Sequence, residues 1–337
     1  MSADGATELT WRPLERGDVA AWRLLLEIIE AVEREDEHPS EQDLLERFDD
    51  PYVDTARGSM AVWDGDRMVG YHWMKARTAA DPQHDFWQVG GVDPEYRGRG
   101  IGARLLGWAE QAALPLHEER FPGAPLALMD GCVVGSASEA LFRQLGYEQV
   151  RWYHNMVVAD LATAVAELPA SPVPDGVVFL PFTAERSADA LRVRNDAFRD
   201  HYGSVPQSSE GWAHFVGGTA FRPDGSFIAY ERGQEGGAGA PGQPLAIVLA
   251  EEYDGHRQAT GRRDLYVALV GTARAGRKRG IASALLAHAL RRAAADGFDT
   301  STLGVDMDSP TGAVGLYERL GYRPEQSYVA QQKFLRR

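Results

Sequence analysis

Two glycine-rich turns flanked by basic residues are the strongest chemical feature of this 337-residue sequence. The first is Arg97–Gly102 (RGRGIG), the second is Arg277–Ala282 (RKRGIA), and an apolar, helix-like segment follows each. The first N–H groups of a helix have no partner inside the helix, and the helix dipole favours negative charge there. Glycine at positions 100 and 280 lets an anion approach the backbone without a Cβ in the way. Because the arginines add charged donors, a pyrophosphate group suits each turn.

A single turn of this kind is a weak signal, but here it belongs to a longer repeat. Neither turn has the Gly-Lys-Ser/Thr ending of a P-loop, and neither has the setting of a dinucleotide-binding fingerprint. Val92–Leu106 aligns without a gap with Thr272–Leu286, and Ala140–Tyr147 aligns with Gly315–Tyr322. The two blocks recur in the same order at nearly one offset, which indicates duplication of a whole domain.

The same order of elements is predicted in both halves from hydrophobic periodicity and turn residues. In the first half we expect strands or hairpins at 9–14, 60–73, 86–92, 126–129 and 150–158, with helices at 19–32, from 40, at 101–113 and at 138–145. In the second half we expect strands at 177–180, 226–230, 245–252, 265–271, 300–305 and 328–334, with helices from 187, 208, 281 and 311. Ser40, with an acidic residue three positions later, predicts a capping box. The sequence therefore predicts an α/β protein with mixed sheets flanked by helices.

A proline-rich stretch at 169–174 indicates a boundary between the two copies. We predict an N-terminal domain at 1–165, a linker at 166–176 and a C-terminal domain at 177–337. A low-complexity segment at 234–242 is predicted to be a hairpin tip without a catalytic role.

Composition and charge narrow the class of protein. The chain is 44% hydrophobic and 25% charged, has one cysteine, and contains no apolar stretch long enough to span a bilayer. With its polar start, these features predict a cytoplasmic protein without disulfides, a metal site or a membrane partner. The net charge of −14 argues against binding nucleic acid. Residues 1–160 hold 29 acidic against 15 basic residues, so the excess acidity is either a solvated surface or a field that attracts a cationic amine.

The two motif blocks resemble those of the GNAT superfamily of N-acetyltransferases. Its loop pattern, Arg/Gln-x-x-Gly-x-Gly/Ala, is satisfied by both copies, and Leu141–Tyr147 and Leu316–Tyr322 resemble its second cofactor-side helix. The tandem arrangement is similar to that of mycothiol synthase and related actinobacterial acetyltransferases. One departure is Ser309, where the family usually has asparagine. The resemblance implies that each domain is a mostly antiparallel twisted sheet, with acetyl-coenzyme A between two central parallel strands that splay apart.

The resemblance also implies a set of cofactor-binding residues. In the second copy they are Leu269, Val270, Gly271, Thr272, Arg277, Lys278, Arg279, Gly280, Ile281 and Ala282. In the first copy they are Val92, Arg97, Gly98, Arg99, Gly100, Ile101 and Gly102. A backbone N–H near Leu269 or Val270 is expected to polarise the thioester carbonyl.

By the same resemblance, Tyr317 occupies the position of the general acid, and its counterpart in the first copy is Phe142. A phenylalanine cannot protonate a thiolate, so the C-terminal copy is expected to be catalytic. Whether the first copy binds the cofactor stays open. Otherwise Tyr317 is a packed aromatic side chain. Asp264 is the candidate general base, with Glu251 and Glu252 as rivals. The acceptor side is expected to include some of five polar residues: Arg194, Asp196, Asp200, His201 and Tyr202.

The prediction is an N-acetyltransferase that moves an acetyl group from acetyl-coenzyme A to a primary amine of a small molecule by direct attack. Three alternatives stay open: mycothiol synthase activity, acetylation of a protein amine, and a non-catalytic acyl-coenzyme A binding protein. The protein is expected to be a monomer or a homodimer.

Overall fold

The computed structural model describes residues 8–168, 172–199, 201, 203–233, 241–309 and 312–336. They form two compact units. The N-terminal unit contains the chain up to Arg151 together with the residues from Tyr328 onward, and the C-terminal unit is Trp152–Ser327. Most of the predicted hairpin tip, residues 234–240, lies outside the described residues.

The N-terminal unit is a mixed sheet with helices on both faces. Its elements are β1 Thr10–Arg12, α1 Val19–Glu33, α2 Glu41–Phe48, α3 Thr55–Gly58, β2 Ser59–Asp64, β3 Arg67–Ala80, β4 His84–Val92, α4 Ile101–Arg120, β5 Leu126–Val133 and α5 Ala137–Gln144. Its sheet has the order β1-β2-β3-β4-β5, followed by the last strand of the chain, β12 Arg323–Arg336. Only the β4–β5 pair is parallel.

The C-terminal unit repeats this plan. Its elements are β6 Glu148–Val158, α6 Leu161–Glu167, β7 Val177–Pro181, α7 Ser187–Ala197, α8 Ser209–Gly217, β8 Phe227–Glu231, β9 Pro244–Glu251, α9 Asp254–Thr260, β10 Asp264–Thr272, α10 Ile281–Ala295, β11 Thr300–Asp306 and α11 Ala313–Arg319. Its sheet has the order β7-β8-β9-β10-β11-β6, with β10–β11 as the parallel pair. The expected fold class, two tandem mixed sheets each with a central parallel pair, is confirmed.

Each sheet takes its sixth strand from the other half of the sequence. The C-terminal strand β12 pairs with β5 from Tyr328 onward, and β6 pairs with β11 from Val158 back to Tyr153. The units therefore have different bounds from the predicted domains 1–165 and 177–337. Of the proline-rich stretch, residues 172–174 are described, and they belong to the C-terminal unit. Proline content marks an irregular connection and does not reveal which strands pair.

Hydrophobic clusters cover both faces of each sheet. In the N-terminal unit, α1 and α2 pack on one face through Trp22, Leu25 and Leu44, and α4 and α5 pack on the other. In the C-terminal unit, α7 and α8 cover one face and α10 and α11 cover the other, where Leu285 and Leu290 are fully buried. Among the described residues, no helix is long and apolar enough to cross a membrane.

Local signals in the sequence produce the local structures they predict. Ser40 Oγ accepts a hydrogen bond from the backbone N–H of Asp43, whose carboxylate accepts one from the N–H of Ser40 at 2.7 Å. This confirms the capping box at the start of α2. Gly65 has φ +59° in the turn between β2 and β3, as the tight hairpin requires.

A buried histidine pair lies between β4 and α4 in the N-terminal unit. His84 Nδ1 and His117 Nδ1 are 2.9 Å apart, and His84 Nε2 donates to the carbonyl oxygen of Arg77 at 3.0 Å. Burial lowers the pKa of His84 to about 4, so this imidazole is neutral and its single N–H, at Nε2, is used on Arg77. His84 Nδ1 therefore accepts, and His117 donates from its Nδ1. Among the described residues, His117 Nε2 has no hydrogen-bond partner.

We expect the N-terminal unit to lose stability as the pH falls below about 6.5, the pKa of an unfolded histidine. Between that pH and about 4 the unfolded chain binds more protons than the folded one, at a cost of up to about 1.4 kcal/mol per pH unit for one histidine. Urea midpoints measured between pH 8 and pH 5 check this. The double variant His84→Phe/His117→Phe should show a shallower dependence on pH, and an unchanged slope would contradict the assignment.

Candidate functional site

The parallel strands at the centre of the C-terminal unit come apart soon after they meet. β10 and β11 pair in register from Asp264–Thr300 to Tyr266–Thr302 and no further, although both strands continue for several residues. Beyond this point the two backbones no longer satisfy each other's hydrogen-bonding groups. A cleft therefore opens between residues 267–272 and 303–306.

A β-bulge lies on the β10 side of this cleft. Val267 pairs with Ala250 and Leu269 pairs with Leu249, so Ala268 is an extra residue without a partner on β9. A bulge leaves its extra residue out of the ladder, and here it also sends Val267 and Leu269 into the cores on opposite faces. Ala268 is therefore left out of the β9–β10 ladder, one residue before the first of the two predicted positions, Leu269 and Val270.

The turn that follows β10 leads directly into α10. Lys278 has φ +63° and Gly280 has φ +72°, and a Cβ built on Gly280 would have no atom within 4 Å. Ile281 is buried in the core, so it can offer only its backbone N–H. Lys278 is exposed and, in the part of the chain that the structure describes, has no ion-pair partner. The start of α10 is thus an open set of backbone donors beside a lysine ammonium.

Side chains tether this turn to the end of α7. The backbone N–H of Arg274 donates to the Asp196 carboxylate at 2.7 Å, and the Arg277 guanidinium donates to the carbonyl oxygen of Ala197 at 3.1 Å. Asp196, expected on the acceptor side, therefore holds the predicted cofactor turn in place.

The N-terminal unit has the same cleft without the bulge. Its β4 and β5 pair in parallel only from His84 to Trp87 on β4, after which they part. The β3–β4 ladder, however, continues without a register shift over residues 86–92 of β4. No extra backbone group is therefore released at this cleft.

The N-terminal turn is also open, but its first arginine is engaged. Gly98 and Gly100 have φ +73° and +80°, and no atom lies within 4 Å of a Cβ built on either. Arg97 donates to the carbonyl oxygen of Val92 at 3.0 Å and pairs with the Glu33 carboxylate at 2.7 Å. The turn thus retains the backbone geometry for an anion, with Arg97 held at its rim.

Tyr317 lies on α11 beside the C-terminal cleft. Its ring packs edge-on against Tyr322 at 5.9 Å, and the Tyr322 hydroxyl is hydrogen-bonded to Ser301 Oγ at 2.7 Å. The Tyr317 hydroxyl makes no hydrogen bond with the described residues, and burial raises its pKa to about 12. It is therefore a protonated donor at neutral pH.

The equivalent place in the N-terminal unit holds Phe142. Its ring packs edge-on against Tyr147 at 5.0 Å, which repeats the Tyr317–Tyr322 arrangement. The two copies therefore share their packing here and differ by one hydroxyl group.

The predicted general base Asp264 lies where β10 and β11 are still paired. Its carboxylate accepts hydrogen bonds from Thr300 Oγ1 at 2.6 Å and Thr302 Oγ1 at 2.5 Å. Both threonine hydroxyls donate to this carboxylate, and the role of Asp264 as a base stays a prediction.

The two rival carboxylates are also engaged. Burial would raise the pKa of Glu252, but hydrogen bonds from Arg263 and Arg222 hold it below its usual value. The Glu251 carboxylate accepts a hydrogen bond from the Tyr253 hydroxyl at 2.7 Å. Glu252 is therefore an ion-paired structural residue and a poor proton acceptor.

Another carboxylate, Asp306, was missed by the sequence analysis. It ends β11 beyond the last parallel pair, is buried, and lies 3.9 Å from the ring of His201. Thr302 and Asp306 share a face of β11, because side chains alternate along a strand. The signal in the sequence was a carboxylate at the C-terminal end of a parallel strand.

The other acceptor-side predictions have mixed outcomes. Arg194 donates to the carbonyl oxygen of Val205 and so connects Val205 to α7. His201 is brought next to Asp306. Asp200 and Tyr202 lie outside the described residues.

Comparisons with known proteins agree with this geometry. The Acetyltransferase (GNAT) family matches residues 22–147 and 189–322. A mycothiol acetyltransferase from Gordonia bronchialis is 31% identical over 238 residues, 68% of either chain.

Solved structures show the same fold. A GCN5-related N-acetyltransferase from Sphaerobacter thermophilus has a TM-score of 0.73 at 22% identity, over 98% of this chain and 96% of its own. A tandem GNAT protein from the clavulanic acid biosynthesis pathway has a TM-score of 0.69 at 16% identity, over 97% and 99%. With the family matched in both halves, this chain belongs to the GNAT family of acetyltransferases and has the family's domain twice.

Proposed function

We propose that this chain transfers an acetyl group from acetyl-coenzyme A to a primary amine of a small molecule, and that the C-terminal unit performs the reaction. The observation that supports this choice is a combination of two groups at one cleft. The C-terminal unit has both the bulge at Ala268 and the hydroxyl of Tyr317, whereas the N-terminal unit has a regular ladder over residues 86–92 of β4 and has Phe142.

The residues around the C-terminal cleft fit the coenzyme. The open backbone at Gly280 and the first turn of α10, with Lys278 beside them, would hold the pyrophosphate, and residues 269–272 would line the arm. Acetyl-coenzyme A, when bound, supplies an acyl group activated as a thioester.

The bulge supplies the electrostatic part of the catalysis. As the amine attacks, negative charge develops on the acyl oxygen, and a fixed backbone N–H at Ala268 or Leu269 can stabilise it. Donors of this kind contribute roughly 3–4 kcal/mol in enzymes where they have been removed. No covalent intermediate with the protein is needed, because the amine is itself the nucleophile.

Tyr317 is the proposed general acid. Its pKa of about 12 lies above that of an ordinary thiol, about 8.5, so complete proton transfer to a free thiolate would be uphill by roughly 5 kcal/mol. The hydroxyl therefore acts chiefly by donating a hydrogen bond to the sulfur as charge builds on it. This contribution is smaller than that of the bulge, since a thiolate is already a good leaving group.

The acceptor side of this cleft is polar. Asp306 with His201 lies at the end of β11, and Asp264 lies farther back on the same sheet.

A second candidate function is the activity in the name of the Gordonia bronchialis relative, mycothiol acetyltransferase. The 31% identity between that relative and this chain favours it. An assay of coenzyme A release with an amine panel that includes the desacetyl form of mycothiol separates the two.

We expect Tyr317→Phe to lower kcat at least about tenfold, a loss of about 1.4 kcal/mol, with acetyl-coenzyme A affinity nearly unchanged. The hydroxyl acts only as the sulfur departs, so binding of the ground state does not need it. Steady-state kinetics and calorimetric titration measure the two quantities. The converse variant Phe142→Tyr is the matched control and should leave kcat unaltered; an unaffected rate in Tyr317→Phe would remove this residue as the acid.

We expect Gly280→Trp to abolish turnover by preventing coenzyme binding in the C-terminal unit. A tryptophan at φ +72° is strained, and its side chain would cover the backbone donors of α10. Gly100→Trp makes the same change in the N-terminal turn, at φ +80°, and should leave turnover largely intact. Loss of turnover in Gly100→Trp alone would instead assign the reaction to the N-terminal unit.

A further inference from the structure

Gly304 leaves an opening in the sheet of the C-terminal unit. It lies on β11, between β10 and β6, and yet it is exposed. Its neighbours Leu303 and Val305 both enter the core beneath α10 and α11, so Gly304 faces the side of α7 and α8. Among the described residues, a Cβ built on Gly304 would have one atom within 4 Å, Asn155 Oδ1 at 3.9 Å. The described part of the two helices therefore leaves space above this glycine.

This opening lies beside the proposed position of the acyl group. Ala268 and Gly304 are each two residues beyond the last parallel pair, Tyr266–Thr302, so they lie at similar heights on the two sides of the cleft. In the proposed reaction the coenzyme binds on the side of α10 and α11, where Tyr317 belongs to the core. The amine then reaches the acyl carbon from the side of α7 and α8, over Gly304.

Polar side chains surround the opening. On the same face of β11, Thr302 precedes Gly304 by two residues and Asp306 follows it by two. On β6, Asn155 pairs directly with Gly304. A hydroxyl group, a carboxylate and an amide thus border one open glycine.

The Asn155 amide is the group in this set that stays available. Thr302 donates its hydroxyl hydrogen to Asp264, and the Asp306 carboxylate accepts from the backbone N–H of Asp308 at 2.9 Å. Asn155 is partly exposed, and its side chain makes no hydrogen bond within the described residues. An amide has a carbonyl acceptor and two N–H donors. It can therefore donate to, or accept from, a hydroxyl group of a ligand.

The N-terminal unit has the same opening with apolar borders. Gly131 is the equivalent of Gly304, two residues beyond the last parallel pair, and no described atom lies within 4 Å of a Cβ built on it. The three bordering positions have apolar side chains in this unit: Met129, Val133 and Ala330. The fold therefore does not require polar groups around the glycine, and their presence in the C-terminal unit indicates a ligand there.

We propose that Asn155 binds a hydroxyl group of the acceptor, so that the acceptor is a hydroxylated amine such as an amino alcohol or an amino sugar. This inference rests on the proposed function and names the class of amine that the C-terminal cleft takes. The hydroxyl group lies close to the reacting amine, because Asn155 is beside Gly304 and Gly304 is across the cleft from Ala268. An alkylamine of the same shape would leave the amide without a partner, which weakens its binding in the transition state.

The first test compares amines that differ by one hydroxyl group, with the full-length protein at saturating acetyl-coenzyme A. Two such pairs are ethanolamine with propylamine, and 2-aminocyclohexanol with cyclohexylamine. We expect Asn155→Ala, which copies Ala330 of the N-terminal unit, to lower the preference in kcat/KM for the hydroxylated member about tenfold, the effect of one hydrogen bond. The intrinsic reactivity of each amine cancels between wild type and variant, and a purely structural defect would lower both members of a pair equally.

The second test closes the opening itself. Gly304 does not have a positive φ, and a Cβ there has room, so the fold should tolerate Gly304→Leu while the side chain occupies the space above the sheet. We expect the KM of the hydroxylated amine to rise at least about tenfold, with the affinity for acetyl-coenzyme A in calorimetric titration nearly unchanged. Gly131→Leu is the matched control in the N-terminal unit and should alter neither quantity.

A preference for the hydroxylated amine that survives Asn155→Ala would overturn the inference, and so would an unchanged acceptor KM in Gly304→Leu. A rise in KM caused by Gly131→Leu instead would overturn it by assigning the acceptor to the N-terminal unit. Turnover confined to amines without a hydroxyl group would also overturn it, while acetyl transfer to an amine would stand. Absence of turnover with every amine, in a wild type that binds acetyl-coenzyme A, would overturn the proposed function as well.

Discussion

The separation of two parallel strands is the constraint on which the rest of each unit depends. Backbone N–H and C=O groups in an interior must find partners, and a complete ladder would leave none for a ligand. In the C-terminal unit, β10 and β11 stop pairing after Tyr266 and Thr302, and helices on both faces support the parted strands. Backbone groups at the centre of the sheet are thereby left out of the β10–β11 ladder without lying at the outer edge of the sheet.

The bulge at Ala268 adds one unpaired residue to β10 in this part of the sheet. It displaces one peptide from the β9–β10 ladder, and the side chains before and after it go to opposite cores. The N-terminal unit has the same topology, a similar turn and a similar aromatic pair, yet its β4 is regular. The duplicated domain thus shows within one chain that a fold and a chemical site are separate matters.

The exchange of sixth strands makes the two halves of the sequence depend on one another. The N-terminal sheet is completed by β12, whose Val329 is fully buried in its core, and the C-terminal sheet is completed by β6, whose Met156 is fully buried. Without these strands, β5 and β11 would each have an open edge. The exchange also sets Gln331 opposite Asp130, because Gln331 lies on the exchanged strand.

The sequence by itself determined what is local or repeated at a fixed spacing. The duplication, the turns at Arg97 and Arg277, the Ser40 cap and the Tyr317/Phe142 difference all follow from neighbouring residues or from aligning the two halves, since short-range geometry produces them. Only the tertiary structure decided which strands complete each sheet, that Ala268 is bulged, that Asp264 is held by two threonines, and that Asp130 faces Gln331. These features arise from pairing between strands far apart in the chain, and the energies that select such partners come from packed surfaces that no short pattern encodes.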